Sequence, residues 1–182
     1  VLGRQKDPAK GKLLGQLNYG RKVIPLGFGA MPNYAATGAD EVAIFGSIGG
    51  SGRGRSVIRD GDDGTLIEQS NYGSKYLIRA YSVLSNVGGG AAPDVTVVGQ
   101  DAAGKILAWI KDGATGATVS KNKYQGGGVA KPYTAVQAFE IMDIGGGAAN
   151  DLGVAMHRFG GKRKVDFRDM ISGTKISSVP IP

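Results

Sequence analysis

Asp143 and Asp151 stand at the first and ninth positions of DIGGGAANDL (143–152), with three glycines between them. Oxygen-bearing side chains on alternate residues of a glycine-rich loop are the chemistry of calcium. That ion takes about six to eight hard oxygens and owes most of its affinity to carboxylates. Here the alternate positions read Asp143, Gly145, Gly147, Ala149 and Asp151, so side-chain oxygen survives only at the two ends. The loop has a close copy in NVGGGAAPDV (86–95), with Asn86, Gly88, Gly90, Ala92 and Asp94 at the same places. A looser copy has Asn33, Ala35, Thr37, Ala39 and Glu41. Two carboxylates would have to complete a shell with backbone carbonyls and water. Asp143 and Asp151 are therefore the metal candidates, but no cofactor is expected, calcium included. The expected role of the ninth-position acid is to accept hydrogen bonds from the loop's own N–H groups, while the glycines let the backbone double back.

The other reactive side chains are scattered. His157 is the single histidine, and a catalytic base needs an orienting acid and a nucleophile that it does not reveal. Cysteine is absent, which excludes disulfides, a thiolate nucleophile and cysteine-based zinc sites. GGSGRGRS (49–56) and GGKRKVDFRD (160–169) place Arg53, Arg55, Lys162, Arg163 and Lys164 at equivalent points of the repeat described next. These five are the polyanion-binding candidates, expected to gather on one rim. The net charge of +7 favours acidic partners, although the cations are spread along the whole chain, the pattern of a solvated surface. Trp109 shares a face with Lys105, Leu107 and Lys111 at the two-residue period of a strand, where packing between neighbouring sheets is its expected use.

A turn of the form Asp-x-x-x-Gly recurs as Asp7–Gly11, Asp60–Gly64, Asp112–Gly116 and Asp169–Gly173, its aspartates 53, 52 and 57 residues apart. A cation precedes each aspartate (Lys6, Arg59, Lys111, Arg168), and an aliphatic residue follows each glycine by three (Leu14, Ile67, Val119, Ile176). Five residues further on come Tyr19, Tyr72, Tyr124 and, in the last copy, Ile181. The turn is structural chemistry: Asp accepts from N–H groups two residues on, and Gly supplies the positive φ that closes the hairpin. Between turns lie short runs rich in β-branched and aromatic residues, such as YLIRAYSVL, DVTVVGQD, KILAWIKD and TVSKNKY. The 32 glycines fall in clusters between these runs, without a collagen period.

Four short antiparallel strands per unit of about 50 residues predict an all-β chain of β-propeller blades; a β-sandwich is the alternative. The units are a half blade at 1–22, made of third and fourth strands, and whole blades at 23–75, 76–128 and 129–182. Three and a half blades fall short of the closed rings of about four to eight. The chain is therefore expected to be a piece of a longer protein or a subunit that meets other copies. Its start without methionine fits removal of a leader or preceding region. No apolar run approaches the roughly 18 residues of a membrane helix, so membrane insertion is not expected.

The units resemble FG-GAP or VCBS repeats, the blades of integrin-α-type propellers that also occur in large secreted bacterial proteins. The likeness rests on DVTVVG (94–99) followed by GKILAWIKDGATG (104–116) and on their counterparts along the chain. It implies an extracellular or cell-surface location and, through the family's D-x-D/N-G-D-G-x-x-D loop, a calcium site that is degenerate here. The expected function is a non-enzymatic structural or adhesive scaffold. Its expected partners are further blades of the same polypeptide or other copies of the chain. The alternative is a module that binds acidic glycans or other polyanions, or a polysaccharide-active propeller enzyme; nucleic acid is not expected.

Overall fold

The computed structural model describes residues 2–6, 13–19, 22–36, 38–49, 53–124, 133–147, 149–158 and 160–182. All regular structure among them is β. The strands β1 (Leu2–Lys6) and β2 (Leu13–Asn18) form a two-stranded half-sheet. Sheet I holds β3 (Val23–Met31), β4 (Glu41–Ile48), β5 (Gly54–Arg59) and β6 (Leu66–Tyr72). Sheet II holds β7 (Leu77–Val83), β8 (Asp94–Gln100), β9 (Ile106–Asp112) and β10 (Thr118–Tyr124). Sheet III holds β11 (Tyr133–Ile141), β12 (Asp151–Arg158), β13 (Arg163–Asp169) and β14 (Lys175–Ile181). Each sheet is an antiparallel meander of consecutive strands, the blade-like unit that the repeat predicts. Asp7 and Gly11, the first copy of the turn, lie outside the described residues.

Two register shifts recur at fixed places. In the first strand of each complete sheet one residue is left over between paired neighbours: Leu26, Arg79 and Val136. In the fourth strand, and in β2 of the half-sheet, the residue left over is Leu14, Ile67, Val119 or Ile176. These four are the aliphatic residues that follow each turn glycine by three. A bulge re-aims a side chain, and in sheets II and III it turns Val119 and Ile176 towards the glycine loop. A Cβ on Gly88 would come within 2.8 Å of Val119 Cγ2, and one on Gly145 within 2.7 Å of Ile176 Cδ1. The glycine loop and the aspartate turn, distant in sequence, thus pack together within each complete sheet.

The sheets stack in chain order, with the first strands β3, β7 and β11 adjacent. One core lies between sheets I and II, where Met31, Phe45, Ile58 and Tyr72 meet Ile78, Val95, Val97 and Trp109. Another lies between sheets II and III, where Leu84, Val98, Ile110 and Tyr124 meet Ala135, Leu152, Val154 and Met156. Tyr19 closes a smaller cluster with Ile44 and Val57 of sheet I. The repeated tyrosine is therefore the residue by which each unit's fourth strand docks on the next sheet. Burial pushes the pKa of Tyr19 up to about 12 against the opposing charge of Arg59, and raises those of Tyr72 and Tyr124 well above the ordinary phenol value.

Candidate functional site

The repeated aspartates do the same work in every described turn. Asp60 Oδ1 accepts from the backbone N–H groups of Asp62 and Asp63 at 2.7 and 3.2 Å. Asp112 Oδ1 accepts from Ala114 and Thr115 at 3.1 and 2.7 Å, and Asp169 Oδ1 from Ile171 and Ser172 at 3.1 and 2.6 Å. The hydrogen bond from Ser172 holds the Asp169 carboxyl below its ordinary pKa. Gly64, Gly116 and Gly173 close the turns at φ of 78°, 69° and 71°. The preceding cation completes each turn by donating to the glycine carbonyl. Arg59 reaches Gly64 at 2.6 Å, Lys111 reaches Gly116 at 2.9 Å and Arg168 reaches Gly173 at 2.6 Å.

The ninth-position acids behave as the loop sequence predicts. Glu41 accepts from the N–H groups of Tyr34 and Ala35, Asp94 from Val87 and Gly88, and Asp151 from Ile144 and Gly145, all between 2.8 and 3.2 Å. Asp143 Oδ1 accepts from Gly146 and Gly147 at 2.7 and 3.1 Å. The two metal candidates thus spend an oxygen each on the loop's own amides, and Asp151 is fully buried. Asp94 also lies opposite Asp112 across β8 and β9, and Asp151 opposite Asp169 across β12 and β13. Burial is the main cause that raises the Asp94 pKa; the Val87 and Gly88 amides oppose it, and the charges of Asp112 and Glu140 add to it.

The basic candidates divide between two sheets. Arg53 and Arg55 lie at the start of β5 in sheet I, where Arg55 donates to Asn71 at 3.0 Å and Gln69 at 3.3 Å. Lys162, Arg163 and Lys164 lie at the start of β13 in sheet III, with sheet II between the two groups. At that end of sheet III the Tyr133 ring has Lys164 Nζ 4.7 Å and the Arg158 guanidinium 5.9 Å from its centroid. Lys164 also pairs with the buried Asp166 at 2.7 Å. A shallow depression joins Tyr133, Lys162, Arg163, Lys164 and Ser178. A neighbouring one holds the exposed His157 with Val136, Arg158, Arg163 and Ile181. Tyr133 and Arg158 were not among the sequence candidates. Their signal is the register of β11 with β12, which pairs them directly.

Trp109 is buried between sheets I and II, edge-on to Tyr72 and Tyr76 at centroid distances of 6.1 and 4.9 Å. It packs sheet on sheet, as its strand face predicts. No helix long and apolar enough to cross a membrane is found among the described residues, which says nothing about crossing by strands. No protein-family model matches the chain, and no curated protein matches it.

Proposed function

We propose that the chain is a non-enzymatic, extracellular repeat scaffold, structural or adhesive, built from blades of the FG-GAP or VCBS kind. One observation carries the reading: the repeated polar residues fasten unit to unit. The turn of sheet II rests on Glu68 and Ser70 of the preceding fourth strand, with Lys111 donating to Ser70 at 3.1 Å. The turn of sheet III rests on the equivalent Ser120 and Asn122, which donate to the Met170 carbonyl, Asn122 at 3.2 Å. The partners in this reading are further units of the same repeat, in the same polypeptide or in other copies. A panel of polysaccharide, ester and phosphate substrates is expected to give no turnover. Reproducible turnover abolished by a point substitution would overturn the reading.

A second reading, a surface for acidic glycans, is favoured by the end of sheet III, where Arg158, Lys162, Arg163 and Lys164 surround Tyr133. Binding of sulfated or carboxylated oligosaccharides there should weaken with salt. It should also be lost when Lys162 and Arg163 are replaced by Glu. Binding that survives both changes would assign the glycan to another place.

A further inference from the structure

The carboxylates of the repeat are spent at one end of the stack. The glycine loops and aspartate turns lie where each first strand ends and each fourth strand begins, and they engage Glu41, Asp94 and Asp151 together with Asp60, Asp112 and Asp169. At the opposite end, where second and third strands join, cations dominate. Among the described residues the acids towards that end of sheets II and III are Asp101, which accepts from the Lys105 amide at 2.8 Å, and the buried Asp166, which pairs with Lys164. Lys75, Arg79, Lys162 and Arg163 are exposed there, and their side chains make no ion pair or hydrogen bond among the described residues.

These cations flank the junction of sheets II and III, two complete sheets inside the chain. The register shift in β7 leaves Arg79 as the extra residue, and it lines a depression with Lys75, Leu77, Gln100 and Thr134 of β11. Gln100 donates to the Tyr133 carbonyl, which ties one sheet to the other at this place. Thr134 pairs with His157 across β11 and β12, and His157 lines the next depression with Val136, Arg158 and Arg163. Directly opposite residues of an antiparallel pair lie about 5 Å apart, so the two depressions share a border. Together they make one path with cations of sheet II at one end and cations of sheet III at the other. A path lined by one sign of charge draws in the opposite sign.

We infer that this path is a single site for one linear acidic polysaccharide, held by both sheets at once. The inference rests on the glycan reading above and extends it to sheet II. Gln100 and Thr134 can bond sugar hydroxyls, and Leu77 and Val136, both exposed, can meet the apolar faces of sugar rings. A single-stranded nucleic acid needs free aromatic faces for its bases. The aromatics of this rim are engaged: Tyr76 lies edge-on to Trp109 at 4.9 Å, and Tyr133 has Lys164 and Arg158 against its ring.

The test is a calorimetric titration of the full chain with a heparin dodecasaccharide at several salt concentrations, where sedimentation shows a monomer. One oligosaccharide per protein is expected, with affinity that falls as salt rises. Lys75→Gln with Arg79→Gln, and separately Lys162→Gln with Arg163→Gln, should each weaken binding by about tenfold or more, because each removes one of two linked contacts. Each pair should also lower the slope of log affinity against log salt by roughly one per cation removed. All four side chains are exposed, so the melting temperature should not move. Lys175→Gln, an exposed cation at the turn end of β14, should leave affinity and slope unchanged. Loss through the sheet III pair alone, or two oligosaccharides per protein, would overturn the single path and leave the glycan reading standing. No binding would overturn both. Equal affinity for duplex DNA of matching charge would overturn the assignment to a polysaccharide.

Discussion

The middle of the glycine loop shows one residue deciding a backbone. Gly89 and Gly146 both sit at φ of 73°, and the equivalent residue in sheet I, Ala36, sits at 57°. A Cβ at Gly89 or Gly146 would meet nothing within 4 Å, so crowding does not select glycine there. The left-handed conformation does, because it costs an L-residue with a Cβ roughly 1–2 kcal/mol. Ala36 bears that strain in a loop otherwise braced by Glu41. Ala36→Gly should stabilise the fold by roughly 0.5–1 kcal/mol, once the greater freedom of glycine in the unfolded chain is subtracted. Gly89→Ala should destabilise by a similar amount. Urea titrations of both variants check the pair, and an Ala36→Gly variant no more stable than the parent would show that the loop relaxes around the alanine.

At the scale of elements, the junction between sheets I and II contains a buried acid, Glu68 of β6. It accepts from Ser70 at 2.7 Å, while its Oε2 is buried without a protein hydrogen-bond partner. Burial raises its pKa above the ordinary carboxyl value, more than Ser70 and Lys111 lower it. Between the unfolded and folded values the folded state holds the extra proton, so this group's contribution to stability falls as pH rises through that window. Glu68→Gln should flatten that part of the pH–stability curve and stabilise the protein at neutral pH by about 1 kcal/mol. Thermal melts from pH 4 to 8 measure it; an unchanged pH slope would mean that Lys111 neutralises the acid fully. Strands, turns and their order were legible in the sequence, because β-branched runs, turn aspartates and turn glycines act locally. KILAWIKD, for example, contains β9 almost to the residue. The bulges at Leu26, Arg79 and Val136 were not legible. Nor was the seating of each turn on the preceding sheet, since both depend on partners about 20 to 50 residues away. The candidate rim was read only in part, because equal positions in a repeat fix a shared end of the sheets but do not bring sheets I and III together.

At the scale of the whole molecule, the stack is covered on its inner faces and open at sheet III. The docking tyrosines Tyr72 and Tyr124 are buried against the next sheet, whereas Ile181 at the same place is 39% exposed and Val179, the counterpart of Ser70 and Asn122, is 48% exposed. Phe167, at the place of Ile58 and Ile110, is likewise only partly covered, with its ring edge-on to Phe139 at 6.2 Å. Contiguous apolar surface of this kind marks an interaction site. In a repeat whose faces are complementary by construction, it is the surface that takes another unit of the same chemistry. The chain is therefore expected to associate as its concentration rises. Val179→Glu combined with Ile181→Arg should shift sedimentation towards the monomer without lowering the melting temperature of the monomer, because neither side chain is buried within the stack. A monomer at every concentration in the parent chain would place the cover of this face within the molecule itself. Association unchanged in the double variant would place the contact elsewhere on the chain.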